Sequence, residues 1–322
     1  MKAVRLHRIG GPQNLVYEEV DRPEPPPGEV LVRVRAAALN HRDVFITQGL
    51  YPKIALPRIL GADGAGEAQG REILIDPLLG WGPDERIWRP DATILGMPRD
   101  GTFAQFVSVP RENVHAKPAH LSFEEAAALP LAGVTAYRAL FTRGELRPGE
   151  TLLITGVGGG VQTFALLFAV AAGAKVLVTS SSDGKLERAR AMGAHAGFNY
   201  RTDPEWHKAV RAHAPLDMVV DSAGGESFAR ALTIVRPGGR VVTYGGTHGE
   251  SAIKLFPVFW NQIDVRGSSM GSPADFAAML RFVQTHAIRP AVDRVYPLEE
   301  AAAAAERMHE AAQFGKIVLA VP

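Results

Sequence analysis

The feature that most limits what this chain can fold into is the segment 151–185, TLLITGVGGGVQTFALLFAVAAGAKVLVTSSSDGK. An apolar strand-like run leads into a glycine-rich turn, an apolar helix-like run and a second strand-like run, within about 30 residues. Glycine permits a tight turn and the close approach of a pyrophosphate, and the free N–H groups that begin the next helix attract phosphate. The segment predicts the first βαβ unit of a dinucleotide-binding fold.

The turn itself departs from the usual G-x-G-x-x-G pattern. Val161 and Gln162 stand where the last glycine is usual. A second interpretation therefore stays open, in which the turn joins a strand to a helix without any nucleotide. On the first interpretation, the pyrophosphate is bound by residues Gly156, Gly158, Gly159, Gly160 and Val161.

The end of the second strand bears on which nucleotide would bind. An NAD site places Asp or Glu there, about 20 residues beyond the turn. This chain instead has Thr-Ser-Ser-Ser at 179–182, followed by Asp183 and Lys185. Hydroxyls and an ammonium can bind a 2′-phosphate that a carboxylate would repel, so NADP(H) is favoured over NAD(H). The serines also suit the N-cap of the following helix, and the two roles are compatible.

Composition excludes several classes of protein. A length of 322 residues suggests about two domains. A net charge of +1 gives no indication of binding to nucleic acid or to an anionic membrane. The absence of cysteine excludes disulfides and thiolate zinc sites. No signal peptide and no run long enough to span a bilayer is evident, so a cytoplasmic protein is expected.

The pattern of strands and helices divides the chain into two parts. Short β-type runs at 2–6, 15–20, 30–38 and 103–109 predict an irregular antiparallel β domain. From Ser122, which has capping-box spacing to Glu125, strands and helices alternate, as in a parallel doubly wound sheet. The helices predicted at 273–286 and 298–312 and the strand at 316–320 return to the first domain. The predicted domains are therefore 1–122 with 272–322, and 123–271.

Several segments, in this order, resemble the medium-chain dehydrogenase/reductase superfamily over essentially the whole chain: GEVLVRVRAAALNHRD, GLYP, LPLAGVTAYRAL, RPGETLLITGVGGG, KLERARAMGA, DSAGG, RPGGRVVTYGG and GKIVLA. Within that superfamily, the chain is similar to the zinc-independent, zeta-crystallin-like quinone oxidoreductases. The resemblance implies a GroES-like β-rich catalytic domain beside a Rossmann domain. It also implies hydride transfer from NADPH to a quinone or an α,β-unsaturated carbonyl, and a homodimer formed through edge strands of the nucleotide-binding domains.

The chain departs from the zinc alcohol dehydrogenases of that superfamily. In those enzymes a cysteine is expected near Asn40, a His-Glu pair near residues 62–63 and another cysteine near Leu131. None of these ligands is present, so no metal is expected. His41, Asp43 and Asp63 could in principle contribute ligands, but local hydrogen bonding is the preferred interpretation. The hairpin at 64–76 is short compared with the family pattern.

The resemblance also implies the site residues. Asn40 and Tyr51 match positions that line the family's cleft, where a carboxamide and a phenol can donate hydrogen bonds to an oxygen that gains negative charge. Tyr51 could instead be only a rim aromatic in a Gly-Tyr-Pro turn. Side chains that would set substrate specificity include Phe45, Trp260 and Met270. Cofactor contacts besides the glycine turn are expected from Thr135, Ser180, Ser181, Lys185, Tyr200, Ser222, Tyr244, Gly245, Ser269, Met270 and Gly271.

Other functions remain open at this stage. A methyltransferase uses a similar turn, but such enzymes commonly have an acidic residue after the second strand, where this chain has serines. A zinc-free alcohol dehydrogenase-like enzyme or an enoyl reductase of the same superfamily would share the fold. A non-catalytic NADPH-binding protein would share it too, because fold alone does not determine function.

Overall fold

The computed structural model describes residues 1–322. The chain forms two compact units, called unit 1 (Met1–Ala132 with Ser272–Pro322) and unit 2 (Gly133–Gly271). Short 3-10 turns and one π-helical turn, at Arg138–Thr142, connect some of the elements.

The strands are β1 (Lys2–Leu6), β2 (Leu15–Glu19), β3 (Glu29–Ala38), β4 (Arg58–Ile59), β5 (Asp63–Ala68), β6 (Arg71–Ile75), β7 (Leu78–Leu79), β8 (Thr93–Ile94), β9 (Phe106–Pro110), β10 (Val114–Ala116), β11 (Thr151–Ile154), β12 (Lys175–Ser180), β13 (Ala196–Asn199), β14 (Leu216–Asp221), β15 (Val235–Thr243), β16 (Asp264–Gly267), β17 (Val292–Pro297) and β18 (Lys316–Ala320).

The helices are α1 (His41–Thr47), α2 (Phe123–Ala128), α3 (Pro130–Tyr137), α4 (Gly160–Ala171), α5 (Asp183–Ala191), α6 (Trp206–His213), α7 (Gly225–Ile234), α8 (Leu255–Trp260), α9 (Pro273–Thr285) and α10 (Ala301–His309). None of them is long and apolar enough to cross a lipid bilayer.

Unit 1 is built mainly from antiparallel strands. Its main sheet has the order β10-β6-β5-β3-β18-β17, and β9 also pairs with β3. Strand β18 pairs antiparallel with β3 and parallel with β17. Strands β17 and β18, late in the sequence, therefore extend the sheet that contains β3. The predicted short hairpin is present as the β5–β6 pair. At Gly66 a Cβ would lie 2.0 Å from the carbonyl oxygen of Arg33, so only glycine allows β3 and β5 to approach this closely.

Helix α2 lies in unit 1 and packs on β3, β5 and β18. Ser122 caps it, and its hydroxyl accepts a hydrogen bond from the Glu125 N–H in the predicted capping box. Pro130 divides the helical pattern, since α2 ends at Ala128 and α3 begins at Pro130. The compact units therefore meet at 132/133, which differs from the boundary predicted at 122/123. The reason is that the buried alanines of α2 pack on the β-rich unit.

Unit 2 contains the predicted parallel sheet. Six strands pair in the order β13-β12-β11-β14-β15-β16, and every pair is parallel. The central strands are almost fully buried, as expected for a sheet covered on both faces. The chain order reverses between β11 and β14, which is where ligands bind in such sheets. These features confirm the predicted fold class, an α/β Rossmann unit joined to a GroES-like β-rich unit.

Candidate active site

The glycine turn in unit 2 follows β11 and is fastened to the end of β12. The Gly156 N–H donates to Thr179 Oγ1 at 3.0 Å, and the Val157 N–H donates to the Thr179 carbonyl at 2.7 Å. Gly156 and Gly158 have φ of 67° and 138°, which side-chain-bearing residues rarely adopt. Gly159 is the N-cap of α4, which begins at Gly160. The free N–H groups of the first turn of α4, including that of Val161, therefore lie directly after the glycine turn. The turn fits a pyrophosphate.

Gln162 lies near the place of the usual last glycine, and its side chain contacts both the turn and the end of β14. Its Nε2 donates a 2.6 Å hydrogen bond to Ser222 Oγ, and its Oε1 lies 2.5 Å from where a Cβ of Gly159 would be. The side chain thus folds back over Gly159 and links the first turn of α4 to the end of β14. A side chain at position 159 would require the Gln162 carboxamide to move from this place.

The end of β12 caps the following helix, as one of the two interpretations of the sequence predicted. Ser182 caps α5 and accepts from the Lys185 N–H at 3.4 Å, while Ser180 Oγ accepts from the Ser182 N–H at 3.4 Å. Ser181 is half-buried in the same turn. The Asp183 carboxylate accepts a 2.8 Å hydrogen bond from the Asn199 carboxamide. The end of β12 therefore carries serine hydroxyls, and the nearby Asp183 carboxylate is hydrogen-bonded to the Asn199 side chain.

Strand β13, which the sequence analysis missed, brings further residues to this edge. The Tyr200 N–H donates to the Ser180 carbonyl at 3.1 Å, and the exposed Arg201 follows directly. Arg201 was not predicted as a site residue because the strand before it is short and only moderately apolar. A basic residue just after a strand was the only available signal.

Two residues predicted near the nicotinamide lie at the ends of β14 and β15. Ser222 accepts the hydrogen bond from Gln162, as described above. The Tyr244 hydroxyl is buried without a hydrogen-bond partner, and burial raises the pKa of Tyr244 above its usual range. At Gly245 a Cβ would lie 2.8 Å from the Ser222 carbonyl oxygen, so this glycine is required by packing alone. An unpartnered phenol at the ligand edge of the sheet is consistent with a cofactor site.

The remaining predicted cofactor residues lie elsewhere in unit 2. Thr135 is buried in α3. The loop 269–271 follows β16, and the Ser268 N–H just before it donates to the Thr243 carbonyl at 2.8 Å. Met270 within this loop has φ of 52°, an unusual conformation for a residue with a side chain. The loop carrying Ser269, Met270 and Gly271 therefore starts beside the end of β15.

In unit 1, Asn40 lies in a buried hydrogen-bonded cluster that includes Asp63 and Lys316. Asn40 caps α1, and its N–H donates to Asp43 Oδ2 at 2.8 Å. Its Nδ2 donates to Asp63 Oδ2 at 2.9 Å. The Lys316 ammonium donates to Asn40 Oδ1 at 2.8 Å and to Asp63 Oδ2 at 2.9 Å. Asp63 is 0% exposed and Lys316 is 2% exposed.

The Asn40 carboxamide keeps one hydrogen that the cluster does not use. The Leu131 N–H donates to the second carboxylate oxygen of Asp63, Oδ1, at 2.8 Å. Asp63 thus accepts from a backbone amide, a carboxamide and an ammonium. Asn40 has used its oxygen and one of its two Nδ2 hydrogens, so the other hydrogen can donate to a ligand.

Tyr51, the other predicted catalytic residue, is held by Arg42. The guanidinium lies 4.9 Å from the centre of the Tyr51 ring, and its Nε donates to the hydroxyl at 3.3 Å. Arg42 also donates to the Leu95 carbonyl at 2.8 Å. The Tyr51 hydroxyl therefore accepts a hydrogen bond while its own hydrogen can be donated. Neither Arg42 nor Lys316 was predicted as a site residue. The partners of Lys316 are distant in the sequence, and the contact of Arg42 with Tyr51 depends on how the Arg42 side chain is oriented.

The residues that meet in the Asn40 cluster do not fit a zinc ion. Zinc-dependent relatives are expected to carry ligands at four positions of this chain. Asn40 supplies a carboxamide there and Asp63 a carboxylate, while Ala62 and Leu131 have only apolar side chains. Zinc sites in proteins use three or four converging Cys, His, Asp or Glu ligands. No group of three or more such side chains able to hold a metal ion is found in the chain. Asp43 Oδ2 instead caps α1, and burial raises the pKa of the Asp43 carboxyl group.

Comparison with known proteins agrees with this architecture. Residues 26–119 match the family model "Alcohol dehydrogenase GroES-like domain", and residues 160–285 match "Zinc-binding dehydrogenase". The zinc-type alcohol dehydrogenase-like protein YogA of Leptosphaeria maculans is 37% identical, over 94% of this chain and 93% of its own. The quinone oxidoreductase of Mus musculus is 29% identical, over 99% of this chain and 97% of its own.

Among solved structures, an NAD-dependent alcohol dehydrogenase is 38% identical and covers 100% of both chains, with a TM-score of 0.93. A GroES-like unit joined to a Rossmann unit with a glycine turn that fits a pyrophosphate is typical of an oxidoreductase that uses a nicotinamide cofactor. The chain belongs to the medium-chain dehydrogenase/reductase superfamily.

Proposed function

We propose that this protein is an NADPH-dependent reductase that transfers hydride to a quinone or to the β-carbon of an α,β-unsaturated carbonyl, without a metal ion. The observation that carries the proposal is the Asn40 carboxamide, held by Lys316 and Asp63 with one Nδ2 hydrogen left to donate. This donor is neutral and fixed, which suits stabilisation of an oxygen that becomes negative only during the reaction.

The cofactor is assigned to unit 2. Bound NADPH would supply the hydride. The glycine turn would hold its pyrophosphate, while Lys185, Ser180 and Ser181, with Arg201 and Tyr200 beside them, would surround the 2′-phosphate. Ser222, Tyr244 and Gly245 would lie toward the nicotinamide end, with Thr135 and the loop 269–271 as further contacts. The support for NADPH over NADH is the absence of an unpaired carboxylate at the end of β12.

The substrate oxygen is assigned to the donors of unit 1. As hydride reaches the acceptor carbon, the carbonyl oxygen gains negative charge, and the free Asn40 Nδ2 hydrogen would bond to it. Tyr51 would add a second donor, since its hydroxyl accepts from Arg42 and keeps its own hydrogen. Water can then protonate the enolate or hydroquinone anion. Such acceptors need no Lewis acid, because their own conjugation already makes the attacked carbon electron-poor.

The comparisons support the reaction class and leave the substrate open. The similarity to a quinone oxidoreductase supports a quinone or enone substrate, whereas the similarity to an NAD-dependent alcohol dehydrogenase would support NAD and an alcohol. The Asn40 cluster favours the quinone or enone, because its donor set does not fit the zinc ion that would polarise an alcohol.

A second copy of this chain is the proposed partner. Strand β16 forms one edge of the unit 2 sheet, and its Val265 is 45% exposed. Helix α8, just before it, exposes Phe256, Phe259 and Trp260, the last to 69%. An edge strand with an adjoining apolar surface favours pairing with another strand, and two copies of β16 could pair about a two-fold axis.

The test is a substrate panel with chelator-treated protein. NADPH oxidation would be followed at a fixed concentration of each of several quinones, linear enones and cyclic enones. The reverse direction would be followed with NADP⁺ or NAD⁺ and a set of primary and secondary alcohols. Turnover of a quinone or enone without metal is the expected result. Activity confined to alcohols, and appearing only after zinc is added, would contradict the proposal.

A further inference from the structure

Lys316 is a buried cation whose charge must be compensated. Lys316 is the first residue of β18, and its ammonium donates hydrogen bonds to Asn40 Oδ1 and Asp63 Oδ2. A buried ammonium is unfavourable unless it is paired and hydrogen-bonded. Asp63 provides the opposite charge, and Asn40 provides a further acceptor. Asn40 lies 276 residues from Lys316 in the sequence, so this arrangement depends on the completed fold.

This arrangement determines the orientation of the Asn40 carboxamide. If its oxygen and nitrogen exchanged places, the NH₂ group would face the Lys316 ammonium and the oxygen would face the Asp63 carboxylate. Both contacts would be repulsive, so only one orientation is stable. In that orientation Oδ1 faces Lys316, one Nδ2 hydrogen faces Asp63, and the remaining hydrogen has a defined direction.

The same bonds occupy the groups that a metal ion would need. Asp63 Oδ1 accepts from the Leu131 N–H, and Oδ2 accepts from both Lys316 and Asn40. The Asn40 oxygen is bound to the ammonium. A divalent cation placed among these atoms would meet the positive charge of Lys316 at close range, where repulsion is strong. The zinc implied by the matched family model therefore does not fit this chain.

We infer that Lys316 is a positioning residue that holds the Asn40 carboxamide in its donating orientation. Its ammonium and the bonds it makes leave no metal site between Asn40 and Asp63. The consequence for catalysis rests on the proposed function. The consequence for metal binding does not, because it follows from the donor set alone.

The first experiment separates positioning from simple stabilisation. Three variants would be compared with the wild type: Lys316→Met, the double variant Asp63→Asn with Lys316→Met, and the control Lys117→Met. Lys117 is a second buried lysine of unit 1, bonded to the Leu121 carbonyl and paired with Glu72 at 3.1 Å. The melting temperature, the NADPH dissociation constant, and kcat and KM for an enone would be measured for each.

Lys316→Met should lower the melting temperature, because Asp63 is left buried without its counter-ion. It should also reduce kcat at least tenfold, because the Asn40 oxygen loses one of the two contacts that fix the orientation of the carboxamide. The double variant should recover most of the melting temperature while kcat stays at least tenfold low, since no ammonium orients Asn40. NADPH affinity should change less than twofold throughout. Recovery of kcat together with stability, or an equal loss of kcat in Lys117→Met, would overturn the positioning role.

The second experiment does not depend on activity. Chelator-treated wild-type protein would be titrated with Co²⁺ and followed by visible absorption, then dialysed with Zn²⁺ and analysed for bound metal. The inference predicts no protein-bound cobalt spectrum and no retained zinc. One equivalent of tightly held metal would overturn it. If the wild type reduced neither quinones nor enones, the proposed function would fail. The metal titration and the melting temperature of the double variant would still test whether Lys316 compensates Asp63 and excludes a metal ion.

Discussion

The side chain of Lys185 lies against Gly158, so that a Cβ on Gly158 would come 2.9 Å from Lys185 Cδ and 3.4 Å from its Nζ. This contact joins the beginning of α5 to the glycine turn and brings a positive charge close to that turn. Since Ser180 lies at the end of the neighbouring strand, hydroxyl and ammonium groups are available together at one edge of the sheet.

Lys185→Met should weaken NADPH binding about tenfold or more and change NADH binding less than twofold, because a charge-assisted hydrogen bond contributes about 1.5–3 kcal/mol. Fluorescence titrations at low salt would measure both dissociation constants. The matched control is Lys208→Met, which removes an exposed lysine of unit 2 that pairs with Glu205. Equal weakening of both cofactors by Lys185→Met would argue that the lysine binds the pyrophosphate rather than the 2′-phosphate.

Asn40→Ala should reduce kcat for an enone about a hundredfold, a typical result when one donor to a developing oxyanion is removed. NADPH affinity should stay unchanged, because the glycine turn lies in unit 2. Steady-state kinetics and a fluorescence titration of the same preparation would separate the two effects. A variant that kept wild-type kcat would show that Asn40 does not contact the reacting oxygen.

The sequence predicted the Rossmann unit well because its signals are local. Apolar runs and glycines predicted a strand, a helix and a second strand in the segment 151–185, and the structure has β11, α4 and β12 there. Strands β13 and β16 were missed because they are short and partly exposed, and only pairing with their neighbours makes them strands.

The Asn40 cluster was only partly predictable for a different reason. The resemblance pointed to Asn40, and the strand beginning at Lys316 was predicted correctly. Nothing local indicated that the Lys316 side chain would turn inward, because its partners Asn40 and Asp63 are more than 250 residues away in the sequence. Lysine is rarely buried, so an exposed side chain was the natural expectation.

Asp76 gives a pH-dependent prediction. Burial raises the pKa of Asp76 from 3.8 to about 7. The folded protein then holds a proton that the unfolded chain releases near pH 4, so the free energy of unfolding falls as pH rises from about 4 to about 7. Asp76→Asn should remove this loss and be about 4 kcal/mol more stable than the wild type at pH 8, with little difference at pH 4.

Urea denaturation at pH 4, 6 and 8 would measure the Asp76 effect. Asp21→Asn, at an exposed position of unit 1, is the control and should keep the wild-type pH profile. If Asp76→Asn were equally or less stable than the wild type at pH 8, the carboxyl group would have to be ionised and stabilised in the folded protein.

Val265→Lys should convert the proposed dimer to a monomer, because a charge on the exposed edge of β16 opposes strand pairing. Sedimentation velocity at several protein concentrations would measure the change in mass. Val295→Lys is a close control, since Val295 is 44% exposed on β17, the edge strand of the unit 1 sheet. A monomeric wild type, or dissociation caused equally by both variants, would contradict pairing through β16.

Binding of NADPH by unit 2, without a metal, is the step on which the proposed reductase depends. A fluorescence titration of chelator-treated wild-type protein with NADPH and, separately, with NADH measures it. We expect NADPH to bind at least about tenfold more tightly, because of a charge-assisted contact to the 2′-phosphate. Tighter binding of NADH, or binding of neither cofactor until zinc is restored, would contradict it.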